Sequence, residues 1–100
     1  MEVRYKDNKL EKLCTDQSEM RKKRPDLEKK LRLRIKALEN SETLGDLPED
    51  DPGGRWHDLK GKRAGTWAGD LSGNWRLIVQ PSSDTLTAVE VTVLEIKDYH

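Results

Sequence analysis

The apolar residues of this chain change period once, near its middle, and that change restricts the fold more than any other feature of the sequence. In the first half they recur at helical spacing. Leu10, Leu13, Cys14 and Met20 form one stripe, predicting a helix over about 8–23 with Asp7 or Asn8 as its cap. Pro25 interrupts it, and Leu27, Leu31, Ile35 and Leu38 predict a second amphipathic helix over 26–41, with the basic residues between them mostly off the stripe. Two helices across a tight break make an αα-hairpin. In the second half the pattern turns to alternation and β-branched runs. "RWHDLKG", "GTWAGDL", "NWRLIVQ" and "LTAVEVTVLEI" read as strands. In the third of these Trp75, Leu77 and Val79 share one face, and Arg76 and Ile78 the other. Gly73-Asn74 supplies the positive φ angles of a tight hairpin turn. "EVRYK" adds a short strand at the start, and the acidic, Gly- and Pro-bearing stretch 44–54 reads as a loop. Helices followed by strands define an α+β fold: an N-terminal strand and a two-helix hairpin packed on a twisted antiparallel β-sheet.

One hundred residues are expected to form a single domain, 1–100. With 33% hydrophobic residues and no Phe, the core must be small and aliphatic, with Trp56, Trp67 and Trp75 as its large pieces or as parts of a site. No apolar run approaches the roughly 18 residues of a membrane span. "MEVRYKDNK" has no apolar segment of a secretory signal. Cys14 is alone, which excludes an intramolecular disulfide and a cysteine-based metal site, and it reads as a buried helix thiol. A cytoplasmic protein is expected. The net charge is zero but segregated: residues 1–40 and 55–76 are basic, while 41–54 carry acids and no base. The acids read as a solvated face. Such a layout can present a basic face to a polyanion.

The chemistry-bearing residues lie at the far end. There are two histidines, His57 in "RWHDLKGKRAG" and His100 in "KDYH", with Lys60, Lys62, Arg63, Arg76, Asp98 and Tyr99 around them. Cleavage of RNA through its own 2′-hydroxyl needs a base, an acid for the leaving oxygen and a cation for the phosphate. Histidine suits either proton-transfer role, and arginine suits the cation. The groups meet if the last strand is central and its end lies beside the strands carrying His57, Lys60 and Arg76. The plain structural reading stands beside this one: His57 at a strand edge, the lysines in a solvated turn, His100 frayed. Arg76 resists it. A charge inside an apolar strand needs a partner, here Asp98, Asp70 or Glu95, or a site to serve. No spacing defines a metal site.

"LKGKRAGTWAGDLSGNWRLIV", "ETLGDL" and the ending "LEIKDYH" resemble HigB-type toxins of the RelE/ParE type II toxin–antitoxin superfamily. The likeness runs from about residue 30 to 100, and its specific parts are the Asn-Trp-Arg hairpin and the Asp-Tyr-His terminus. It implies a RelE-like fold and a ribosome-dependent mRNA endonuclease without cofactor or metal, which cuts the message in the ribosomal A site. It implies a helix-turn-helix antitoxin (HigA-like), with operator DNA bound only through the antitoxin complex, and no membrane. By the same resemblance His57, Arg76, Tyr99 and His100 are catalytic, and Lys60, Lys62, Arg63 and Asp98 bind substrate or phosphate. One departure is Asp70, where many relatives carry a base; facing the site, it would weaken phosphate binding. The alternatives are a ParE-like gyrase-binding toxin and a non-catalytic, inactivated toxin kept for operon regulation.

Overall fold

The computed structural model describes residues 1–99. It opens with β1 (Glu2–Tyr5), α1 (Asn8–Thr15), α2 (Gln17–Lys23) and α3 (Glu28–Asn40). Short helical turns follow at Leu44–Asp46, α4 (Leu47–Asp50) and Pro52–Gly54. The rest is β2 (His57–Asp58), a turn at Gly61–Arg63, β3 (Trp67–Asp70), β4 (Trp75–Pro81) and β5 (Glu90–Asp98). The sheet order is β1-β5-β4-β3-β2, so the last strand is internal, between β1 and β4.

Four differences from the sequence reading have physical causes. The sheet is antiparallel except at one edge, where β1 pairs parallel to β5. The helices between β1 and the other strands form the long crossover that a parallel pair requires. The predicted first helix is two helices. Thr15 turns its hydroxyl back onto the Glu11 carbonyl, and the extended Asp16 restarts the chain by accepting from the Ser18 and Glu19 amides. Asp16 and Glu19 stand at the spacing of a capping box, which is the signal for this break. Residues 44–54 are helical turns, not an open loop, and three of their acids are engaged. Asp46 accepts from the Thr43 amide and hydroxyl, Asp50 from Ser41 Oγ, and Asp51 from a buried arginine. In the β3–β4 turn only Gly73 takes a positive φ, of 61°.

One layer of helices covers one face of the sheet. Leu27, Leu31 and Leu38 meet Leu77, Val79, Val91 and Val93, all of them fully buried. Each such side chain contributes about 1.5–3 kcal/mol relative to exposure. The faces of β4 are as its alternation predicts: Leu77 and Val79 belong to this core, whereas Ile78 is buried apart from it, on the side of Arg76. β5 changes phase midway. Ile78 pairs with Glu95 but Val79 pairs with Val93, so Leu94 is an extra residue, a β-bulge. Without it Glu95 would point into the core after Val91 and Val93. With it Ile96 packs on the core, and Glu95 turns to the opposite face. Cys14 is buried, and burial pushes its thiol up to about 12, so it stays protonated and inert. Among the described residues no helix is long and apolar enough to cross a membrane.

Candidate active site

The candidate site lies on the sheet face opposite the helices, at the end where β2, β3, β4 and the segment after β5 come together. Arg55, His57, Leu59, Ala68, Asp70, Arg76 and Tyr99 line an open cleft of about 610 Å³. Each wall follows from local structure. Asp70 and Arg76 stand opposite each other in the β3–β4 ladder. That register brings Arg76 Nε within 2.9 Å of Asp70 Oδ1. The same guanidinium donates through Nη1 to the carbonyls of Trp75 and Gly73, at 3.0 and 3.1 Å. The charge inside the apolar strand is therefore held at both ends, and its partner is Asp70. Glu95 is taken by Arg63, at 2.9 Å.

Arg55 reaches the cleft from the other side, its Nε 3.4 Å from Asp70 Oδ2. It is the one described non-glycine residue with a positive φ, 47°. A left-handed conformation costs a residue with a Cβ roughly 1–2 kcal/mol. His57 begins β2 and is exposed. Its Nδ1 lies 2.9 Å from the Arg55 carbonyl. A carbonyl only accepts, so Nδ1 carries the proton, and in the neutral ring Nε2 is left as the acceptor. Tyr99 is tied to the β3–β4 turn by its amide, which donates to the Asn74 carbonyl at 2.9 Å. Its hydroxyl is buried and finds no hydrogen-bond partner among the described residues.

Beneath the cleft is a buried scaffold. Arg34, on α3, is 3% exposed. Its Nε donates to the Asp70 carbonyl at 2.6 Å, its Nη2 to the Gly53 carbonyl at 2.8 Å, and its Nη1 to the Asp51 carboxylate at 3.2 Å. Asp51 also accepts from Trp56 Nε1 at 2.9 Å. The indole packs across β3 at Gly69, where a Cβ would come within 2.6 Å of the ring. One guanidinium thus joins the helix layer, the 51–54 turn that leads into Arg55 and His57, and the strand that carries Asp70.

Of the residues expected from the sequence, His57, Arg76 and Tyr99 come together on the cleft. Lys60 and Lys62 are exposed at the turn after β2, and Arg63 is drawn to Glu95. Asp98 ends β5 opposite Trp75. His100 lies outside the described residues. Asp70 faces the site. Two residues escaped the sequence reading. Nothing in the pattern singles out Arg55. Arg34 had a signal, because it stands three residues after Leu31 and four before Leu38, on the buried stripe itself. Among the described residues no group of three or more His, Cys, Asp or Glu is placed to hold a metal ion.

Comparison with known proteins bears on this arrangement. The family model for HigB-like toxins, described as the RelE-like toxin of the type II toxin–antitoxin system HigB, matches residues 3–99. No curated protein sequence matches the chain. Among solved structures, a YoeB/ParE toxin from Agrobacterium tumefaciens superposes with a TM-score of 0.60 at 14% identity, covering 100% of both chains. A chain of the YoeB-YefM complex from Staphylococcus aureus superposes with a TM-score of 0.60 at 15% identity, covering 100% of this chain and 97% of that one. At these identities the two neighbours share the fold.

Proposed function

The chain belongs to the HigB-like family of RelE-like toxins of type II toxin–antitoxin systems, and from that membership we propose that it is a metal-independent endoribonuclease that cuts mRNA in the ribosomal A site and so halts translation. The observation that carries this reading is the convergence on one open cleft of a histidine whose Nδ1 is engaged by the Arg55 carbonyl, a strand-held arginine and a tyrosine. His57 Nε2 takes the proton of a ribose 2′-hydroxyl. The 2′-oxygen then bonds to phosphorus, and the bond to the 5′-oxygen breaks. Arg76 stabilises the negative charge that builds on the phosphate oxygens. The leaving 5′-oxygen needs a proton, a role assigned to His100 by its match to the family terminus; Tyr99 lines the cleft with its hydroxyl buried, and a change in its side-chain conformation would be needed before it could donate. Lys60, Lys62, Arg63 and Asp98 serve as contacts for the flanking RNA. Leu59 and Ala68 give the cleft an apolar floor against which a base can rest.

The partners belong to the same proposal. The YoeB chain was solved with YefM, and the present chain is likewise assigned an antitoxin, of the helix-turn-helix HigA-like kind, which carries the pair to operator DNA. The site of action is then the cytoplasm. Chemistry through the 2′-oxygen leaves a fixed signature. The upstream fragment is expected to end in a 2′,3′-cyclic phosphate and the downstream fragment to begin with a 5′-hydroxyl. A single deoxyribose at the cut position is expected to abolish cleavage there. End-group analysis of the fragments tests this, and a 5′-phosphate downstream, or undiminished cutting at the deoxy position, would overturn it.

A further inference from the structure

Asp70 lies between two arginines and gives one carboxylate oxygen to each: Oδ1 to Arg76 Nε at 2.9 Å and Oδ2 to Arg55 Nε at 3.4 Å. An anion with two oxygens held between two guanidinium groups has the binding geometry of a phosphodiester. We infer that Arg55 and Arg76 form a two-arginine phosphate site, and that the Asp70 carboxylate is its resident counter-ion, which an incoming RNA phosphate must displace.

Three features support this. The two arginines come from unrelated segments, one from the turn before β2 and the other from β4, yet they aim at the same point in the cleft. Arg55 reaches that point from a left-handed backbone, φ 47°. Strain of this kind persists where the surroundings over-determine it, and it clusters at ligand clamps. The burial differs across the site: the Arg55 side chain is 80% exposed, Arg76 24% and Asp70 17%. Arg76 is further fixed by the Trp75 and Gly73 carbonyls, and the Asp70 backbone by Arg34. Arg55 is thus the arm able to swing from carboxylate to phosphate, while Arg76 stays in place. The Arg55–Asp70 pair is long, at 3.4 Å, and its arginine is solvent-exposed, so this arm gives up little when it moves to a phosphate.

The inference deepens the endonuclease reading and rests on it for the identity of the polyanion. It is tested with a fluorescein-labelled 2′-O-methyl RNA hexamer, which binds but cannot be cut, by anisotropy against the full chain. Asp70→Asn keeps the side-chain shape and removes the charge. It is expected to tighten binding roughly tenfold, the size of one charge-assisted hydrogen bond. Arg55→Gln, at an exposed side chain where folding is not at stake, is expected to weaken binding to the parent. In the double variant Asp70→Asn/Arg55→Gln most of the gain is expected to vanish. Unchanged or weaker binding by Asp70→Asn, or a gain that survives loss of Arg55, would overturn the inference. Tightening without any mRNA cleavage would leave it standing and overturn the endonuclease, and cleavage without tightening would do the reverse.

Discussion

On the proposed endonuclease reading, Arg76→Gln is expected to lower the rate of mRNA cleavage by roughly 10²–10³, the usual cost of removing one preorganised donor from developing negative charge. Lys62→Gln lowers it by about fivefold at most, the range of an exposed charge contact. The contrast follows from how the two cations are held. Arg76 rises from the middle of the sheet, is fixed by Asp70 and two backbone carbonyls, and points into the cleft. Lys62 is exposed in the Gly61–Arg63 turn. A preorganised cation acts without reorganisation when charge develops, whereas a mobile one must first be ordered. Single-turnover cleavage by the two variants on stalled, message-loaded ribosomes measures the difference. Comparable losses would mean that a diffuse basic surface, and not the cleft, handles the phosphate.

Arg34→Met unfolds the protein more readily than any surface change, with a stability loss of about 3–5 kcal/mol, because removing one partner leaves a carboxylate in a site built around its counter-ion. Total stabilities are about 5–15 kcal/mol, so roughly a fifth of the margin or more goes with this residue. The orphaned groups are the Asp51 carboxylate, left with the Trp56 indole as its donor, and the carbonyls of Asp70 and Gly53. Arg34→Lys does not rescue the loss, since an ammonium lacks the planar fork that serves three acceptors in different directions. Urea unfolding monitored by tryptophan fluorescence reads the shift in midpoint. A loss below about 1 kcal/mol for Arg34→Met would mean that the scaffold under the cleft is held by apolar packing alone.

Much of the fold was legible in the sequence because apolar spacing reports burial directly. Leu27, Leu31, Ile35 and Leu38 marked α3, and the alternation in β4 put Arg76 and Ile78 on the face opposite Leu77 and Val79, which in the structure is the face away from the helices. The cleft was legible in part. His57, Arg76 and Tyr99 could be picked from residue chemistry and from the likeness to the toxin family, and the structure brings them together. What stayed hidden depends on contacts between distant segments. The parallel pairing of β1 with β5 is invisible to local pattern, because a strand's residues do not name its neighbour. The Leu94 bulge had a trace, since the apolar phase shifts from Val91 and Val93 to Leu94 and Ile96, but alternation alone reads through it. Arg55 could not be found at all, because its place in the site comes from a left-handed backbone. Arg34 could have been found, had a charged residue on a leucine stripe been read as a buried partner and not as an interruption.

Primer extension on a reporter mRNA, translated in a reconstituted system and run beside the same mRNA without ribosomes, decides whether the cleft cuts messages. The expected result is cleavage within codons that requires translating ribosomes and disappears with His57→Ala. Intact message in both arms, while expression still stops growth and the purified protein blocks supercoiling by DNA gyrase, would contradict the endonuclease and assign this fold to the gyrase-directed branch of its superfamily.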